Sequence, residues 1–361
     1  MRSILHVITT IDRGGAEKAL LSLASAQKNS GIEVSVLPLK GRVELIEDFG
    51  KAGISVNLAL IKSRNNPLLY LILLKRILSN YPLVHAHLPR AELVSALFCR
   101  RKQFIVTRHN SEKFLPHGFN LISRILSRFV TNRAFQVICI SKAVETFVDS
   151  ISEFGKNARS SVIHYGYSPA ITCPEYLKSS NSYIEIGTVG RLVFQKNTAF
   201  LIQLTQKLIK QGFAIQTKIL GQGPLLSDLQ NLCVDLGVQN ETTFLGVRKD
   251  IGKFMCELDY FVMTSHYEGF GLVLLEAMDA QIPILAPNHS SFPEVLGENH
   301  PGLYAPDDLE DAMKLFVSIQ TNKLLRESII RFQTRQLELF GMKNYLSAHQ
   351  KIYESMEVQI H

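Results

Sequence analysis

The sequence predicts an α/β protein of two doubly wound, Rossmann-like domains, and three observations carry that expectation. At 361 residues the chain exceeds what one hydrophobic core usually supports. Short apolar, β-rich runs alternate with helical patterns along most of its length. The alternation stops at 167–183, YSPAITCPEYLKSSNSY, where two prolines and a Ser/Asn cluster replace periodicity, and then restarts. A hydrophobic content of 46% with 20% charged residues fits a folded chain and excludes disorder.

The strand candidates of the first half are Ser3–Thr10, Glu33–Leu39, Leu83–His87, Phe104–Arg108, Val137–Ile140 and Ser161–His164. Helical patterns such as Ala16–Gln27 and Leu68–Ser79 lie between them. The second half offers Ile184–Val189, Ala214–Leu220, Thr242–Phe244, Tyr260–Met263 and Ile282–Ala286, with helices such as Ala199–Gln211 and Leu225–Gly237 intervening. Strand–helix–strand repetition implies right-handed crossovers and parallel sheets covered on both faces. Ligands of open α/β sheets bind outside the carboxyl ends of the strands. The expectation is therefore that both sheets present that edge to one interdomain cleft.

The opening MRSILHVITTIDRGGAE reads as a first strand, since its short apolar run breaks at Asp12-Arg13-Gly14-Gly15 without a signal-peptide cleavage pattern. The longest apolar run, at 67–74, falls far below the ~18 residues of a spanning helix. Five cysteines with no C-x-x-C spacing argue against a disulfide framework and against zinc, and suit a reducing cytosol. Residues 1–175 hold 23 Lys/Arg against 12 Asp/Glu, and residues 176–361 hold 16 against 20. The basic first half implies an anionic partner. Its small scattered basic groups lack interleaved exposed aromatics, which points away from nucleic acid.

The candidate chemistry lies at predicted strand ends. Gly14-Gly15-Ala16-Glu17 follows the first strand and suits a phosphate or sugar cradle as well as a plain tight turn. His85, His87 and His109 stand at the carboxyl edge of the same sheet, His109 being the best placed. His85 and His87, two apart on a strand, point the same way, but no third ligand at metal spacing accompanies them, and no D-x-D pair occurs to hold a divalent cation. Arg191 and Lys196 follow Ile184–Val189, where two cations can neutralise a leaving diphosphate or simply be solvated. Gly221 and Gly223 form a single GxG, a weak signal. No G-x-S-x-G elbow, P-loop or H-E-x-x-H occurs.

The strongest stretch is SHYEGFGLVLLEAM, 265–278. Gly269-Phe270-Gly271 comes between a strand and a helix, an anion-binding arrangement or an ordinary glycine turn. Glu268 and Glu276 are eight residues apart, on the order of 12 Å at helical rise. Glycosidase carboxylates stand about 5–9.5 Å apart. The spacing suits gripping two ends of one molecule better than acid/base work on one bond.

Taken in order, GGAE (14–17), VHAHL (84–88), TRHN (107–110), ISKAV (140–144), GRLVFQKN (190–197), LGQGPLLSDL (220–229), FLGVRKDI (244–251) and EGFGLVLLEAM (268–278) resemble the retaining glycosyltransferases of family 4, the group 1 glycosyl transferases, which have the GT-B fold. The resemblance implies an acceptor-binding domain over 1–167, a nucleotide-sugar domain over 168–340, and a final helix at about 341–361 that packs back on the first. It implies an EC 2.4 enzyme that takes a nucleotide-diphospho-sugar, a UDP-sugar ahead of a GDP-sugar. The acceptor would be a glycan or a polyprenyl- or lipid-linked glycan of a bacterial cell-surface polysaccharide, such as capsule or lipopolysaccharide. Alternatives are a nucleotide-sugar 2-epimerase of the same fold and a catalytically silent binding protein.

By the same resemblance Arg191 and Lys196 would bind the diphosphate, Glu276 the ribose and Glu268 the transferred sugar. Gly269, Phe270, Gly271 and Leu272 would contact phosphate or sugar, with Gly221 also on the donor. Gly14 and Gly15 would approach the diphosphate, and His109 the sugar. Transfer would need neither metal nor cofactor. The implied location is the cytoplasm, at the inner face of the membrane. The stretch 113–133, KFLPHGFNLISRILSRFVTNR, suits an anionic leaflet or packing on its own sheet. Two departures stand out. Asp279-Ala280-Gln281 takes the place of a small residue and glycine, and His289-Ser290-Ser291-Phe292 replaces a Gly-Gly before Pro293-Glu294.

Overall fold

The computed structural model describes residues 3–116, 118–174 and 182–360, so residues 175–181 of the expected domain break lie outside it. The chain divides into two compact units, Met1–Tyr167 with Phe340–His361, and Ser168–Leu339. The exit and return strands of chain at the first unit are joined by a hydrogen bond from Tyr167 N–H to Phe340 C=O, 2.7 Å.

The first unit holds β1 (Ser3–Ile8), β2 (Glu33–Pro38), β3 (Ser55–Val56), β4 (Leu83–His87), β5 (Phe104–Arg108), β6 (Gln136–Cys139) and β7 (Ser160–Val162). All pair in parallel, in the order β3-β2-β1-β4-β5-β6-β7. In the second unit, β8 (Ile184–Val189), β9 (Ile215–Leu220), β10 (Thr242–Gly246), β11 (Tyr260–Val262), β12 (Ile284–Pro287) and β13 (Leu303–Tyr304) run parallel in the order β10-β9-β8-β11-β12-β13. Each order reverses after its first strand, as doubly wound sheets do. β4 and β5 are buried at every residue, which is why they read as unbroken apolar runs. β3 and β13 escape a sequence reading because two residues cannot show a period.

Helix starts follow local chemistry. Asn66 accepts from Leu69 N–H ahead of Pro67, and Ser141 of the ISKAV motif accepts from Val144 N–H, each at 3.0 Å. Strands β3 through β6 progress in one direction across the sheet. Right-handed connections therefore place the helices Pro67–Ser79, Pro89–Phe98 and Asn120–Arg133 on one face, where successive members pack together. The final helix, Met342–Ile360, packs against the helix Gly15–Asn29.

The cysteines depart from expectation. Cys173 and Cys256 form a disulfide, while Cys99, Cys139 and Cys233 are free and buried. The bridge fastens the segment after Tyr167 to the helix Ile251–Cys256. A bonded pair 83 residues apart is set by tertiary approach, which neither the spacing nor the odd total reveals.

Candidate active site

In the second unit the carboxyl ends of β8, β9, β11 and β12 carry the residues in question. Past β8, Gly190 donates to Leu220 C=O at 3.0 Å and Leu192 to Gln222 C=O at 2.9 Å, so the GRL and GQG loops lie backbone to backbone. A Cβ on Gly221 would stand 1.8 Å from Gly190 O, and one on Gly223 2.2 Å from Leu192 O. The GxG therefore answers to close loop packing. Arg191 is exposed. Phe194–Lys196 makes a single 3₁₀ turn, and Asn197 adopts φ 45° to open the helix Thr198–Lys210.

That turn delivers Lys196 to Glu268. Lys196 Nζ pairs with Glu268 Oε1, and Ser265 Oγ donates to the same oxygen at 2.8 Å. Thr264 Oγ1 holds Lys196 C=O at 2.8 Å, and Gln195 Nε2 donates to Tyr267 C=O at 3.0 Å. The lysine and the glutamate, 72 residues apart, thus form one braced unit. Gly271, at φ 88°, turns the chain into the helix Leu272–Asp279. Phe270 is buried beneath the turn and Glu276 is half-buried in the helix. Because the helix opens only at Leu272, the 1.5 Å rise applies to half of the Glu268–Glu276 interval, and the simple spacing argument does not transfer to the rest.

The substituted glycines acquire a purpose. His289 Nε2 bonds His266 C=O at 2.6 Å. Ser290 Oγ accepts from Glu268 N–H and donates to Glu268 C=O, both 3.0 Å, and Ser291 Oγ donates to Phe270 C=O at 3.2 Å. Three successive side chains after β12 therefore pin the loop that carries Glu268. Ser290 keeps φ 56°, the left-handed conformation that glycine favours. Gln195 and Ser290 escape a sequence reading because each acts on backbone brought from another strand end, and Ser265 because it acts only through the Glu268 carboxylate three residues on.

In the first unit, Gly14 precedes the helix Gly15–Asn29 and accepts from Lys18 N–H at 3.0 Å. The space beside Gly15 where a Cβ would project is open. Glu17 is buried and accepts from Thr10 Oγ1 at 2.9 Å.

His109, just past β5, is buried, and its two ring nitrogens bond to His87 Nδ1 at 3.0 Å and to the Tyr165 hydroxyl at 2.5 Å. It ends a longer chain. His87 Nε2 bonds His6 Nδ1 at 3.0 Å, and His6 Nε2 bonds Gln27 Oε1 at 2.8 Å. Gln27 Nε2 donates to the Tyr353 hydroxyl at 3.1 Å, which bonds His85 Nδ1 at 2.8 Å, and His85 Nε2 reaches Thr107 at 2.7 Å. Burial pushes the pKa of His6 down to about 4, of His109 to about 3 and of His349 to about 4. It holds His85 and His87 well below the usual range, so the set is uncharged at neutral pH.

The third nitrogen at metal spacing does exist. His6, His85 and His87 each offer one within 4.8 Å of the others. His6 lies opposite His85 in the β1–β4 register, a neighbour that depends on sheet order. All six ring nitrogens of the three are already hydrogen-bonded within the protein.

Two parallel, doubly wound sheets with alternating helices are the architecture of the GT-B glycosyltransferases. The fold matches the structure of Anabaena Alr3699/HepE in complex with UDP and glucose, with a TM-score of 0.84 at 19% identity over 98% of this chain and 100% of that one. Residues 13–170 match the family described as Glycosyltransferase Family 4, and residues 173–336 match Glycosyl transferases group 1. The chain belongs to this family of glycosyltransferases. Among its relatives, the capsular polysaccharide biosynthesis glycosyltransferase CapH of Staphylococcus aureus is 23% identical over 82% of this chain and 84% of its own. The Escherichia coli UDP-Gal:alpha-D-GlcNAc-diphosphoundecaprenol alpha-1,3-galactosyltransferase is 24% identical over 74% of this chain and 73% of its own.

Proposed function

We propose that this chain is a retaining glycosyltransferase that moves a sugar from a nucleotide-diphospho-sugar, a UDP-sugar ahead of a GDP-sugar, to a glycan or polyprenyl-linked acceptor of a cell-surface polysaccharide. The observation that carries the reading is the Lys196–Glu268 pair, braced by Ser265 and Ser290 at the carboxyl ends of β8 and β11. Its lysine suits the diphosphate and its glutamate the sugar hydroxyls, and Glu276, one turn into the helix Leu272–Asp279, suits the ribose. The relatives support the substrate classes, since one is named for UDP-galactose and an undecaprenyl diphosphate acceptor and another for capsular polysaccharide. Arg191 and Lys196 supply positive charge for the leaving diphosphate, so transfer proceeds without a divalent metal.

Glu276→Ala removes a carboxylate bonded to ribose hydroxyls, an interaction of about 1.5–3 kcal/mol. Donor binding by calorimetry and transfer of labelled sugar should each fall roughly ten- to hundred-fold. Undiminished transfer would overturn the assignment, and an epimerised donor formed without acceptor would replace transfer with epimerisation. Activity that disappears with EDTA and returns with Mg²⁺ would refute metal independence.

A further inference from the structure

The histidine chain of the first unit follows a strict rule of proton order. An uncharged imidazole carries one ring proton, and a nitrogen–nitrogen hydrogen bond holds one proton between its two ends. His6, His87 and His109 are joined in series by two such bonds, His6 Nδ1 to His87 Nε2 and His87 Nδ1 to His109 Nε2. If His6 carries its proton on Nε2, His87 must supply the first link from Nε2 and His109 the second from Nε2. If His6 carries it on Nδ1, the other two must carry theirs on Nδ1. Only these two orders exist. Mixed orders leave one link with two protons or with none.

The end of the chain selects between them. Gln27 Oε1 faces His6 Nε2 while Gln27 Nε2 donates to Tyr353, on the helix Met342–Ile360. An amide oxygen only accepts, so with the amide in this orientation His6 donates from Nε2, and the whole chain follows. Tyr353 in turn gives its hydroxyl proton to His85 Nδ1, and His85 donates from Nε2 to Thr107. The amide neither gains nor loses protons, so the array cannot conduct them through Gln27. It is an ordering device.

We propose that Gln27 and Tyr353 are positioning residues that impose one proton order on His6, His87 and His109, so that the C-terminal helix fixes His109 as its Nε2–H tautomer. In that order His109 Nδ1 is an acceptor and the Tyr165 hydroxyl donates to it across 2.5 Å. In the reverse order His109 donates and the Tyr165 proton is released for another acceptor. The orientation of one buried amide thus decides the hydrogen-bonding role of a hydroxyl four groups away. Tyr165 is held uncharged, its pKa well above the ordinary value through burial, Tyr345 and Glu17. The tautomer order stands on the geometry alone. Its effect on turnover rests on the proposed function and on the contact with the transferred sugar that the family resemblance implies for His109.

The test uses the full chain with ¹⁵N-labelled histidine and two-bond ¹H–¹⁵N correlation spectra, which distinguish Nε2–H, Nδ1–H and charged rings. The wild type should show Nε2–H for His6, His87 and His109. An Nδ1–H or mixed pattern there overturns the proposal without any variant. Tyr353→Phe and Gln27→Met keep the packing volume but remove the hydroxyl or the amide. In whichever of them stays folded by circular dichroism, His109 should shift to mixed tautomers. An unchanged His109 in a folded Gln27→Met overturns the assignment. Transfer should fall about ten-fold in kcat with little change in donor KM. A tautomer shift with unchanged kcat sustains the ordering device and overturns only the placement of His109 at the sugar.

Discussion

Gly15 and Gly221 are both glycines at the start of a loop or helix, yet the molecule gives them opposite reasons. A Cβ on Gly221 would meet the backbone oxygen of Gly190 at 1.8 Å, and φ there is 153°, so nothing but glycine fits without moving two loops. Gly221→Ala should cost about 1–3 kcal/mol, read as a fall in melting temperature and weaker donor binding together. Gly15 has open space where its Cβ would project, and alanine is the better helix former. Gly15→Ala should therefore hold or raise the melting temperature while raising donor KM, as expected if a ligand approaches it closely. Unchanged KM would leave that glycine without a role. The sequence pattern named both positions but could not separate them, because the difference lies in what the third dimension brings alongside. The same holds for His109, legible at a strand end, and His6, hidden inside SILHVI until the strand order puts it opposite His85.

The helices Pro67–Ser79, Pro89–Phe98 and Asn120–Arg133 show what amphipathic patterning does not disclose. Their inward residues, such as Leu74, Leu78 and Val130, are buried as expected. Their outward residues are apolar too, with Leu68 70%, Ile72 55%, Leu97 56% and Ile125 56% exposed, beside Phe119 at 80%. Ten of the seventeen large hydrophobics exposed in the described chain lie on these three helices or directly at the start of the third. Among the exposed charges of the same helices are Lys75, Arg76, Arg90 and Arg128, while their one carboxylate, Glu92, is buried against Arg108 at 3.0 Å. An apolar face rimmed by cations and bare of exposed acids fits an anionic lipid surface, at roughly 1 kcal/mol per basic residue plus apolar insertion. The helix Asn120–Arg133 packs on its own unit and still leaves an apolar face: Ser123, Ser127 and Val130 are buried while Leu121, Ile122 and Ile125 are exposed. The chain should co-sediment with phosphatidylglycerol vesicles at low salt. Leu71→Glu with Ile122→Glu and Ile125→Glu should abolish this without lowering the melting temperature, all three being exposed. Wild-type protein left in the supernatant would refute the membrane face.

Across the whole molecule the buried titratable groups are unevenly shared, and this makes stability depend on pH in a directed way. The first unit buries His6, His85, His87, His109 and His349, near Tyr165, Tyr345 and Tyr353, whereas the described second unit buries His300 alone among histidines. Each depressed histidine binds its proton more readily when unfolded, near pH 6.5, than when folded, near pH 3–4 for those with stated values. Their contribution is therefore complete above about pH 6.5 and lost as pH falls toward 4, by up to about 1.4 kcal/mol per pH unit for each group. Glu92 works the other way. Burial raises its pKa to about 7 despite Arg108, so acidification from 7 toward 4.5 relieves a cost. Five histidines against Glu92 and Asp12, whose carboxyl pKa burial also raises, decide the sign, and the first unit should lose stability steeply below pH 6.5. Calorimetry at pH 7.5, 6 and 5 should show the transition of the first unit moving down by many degrees while that of the second moves less. His6→Leu with His87→Leu should flatten the dependence, since both slots become permanently uncharged. A first-unit transition that holds its temperature down to pH 5 would mean the histidines are hydrated or charged in the folded chain, and the single proton order could not then exist.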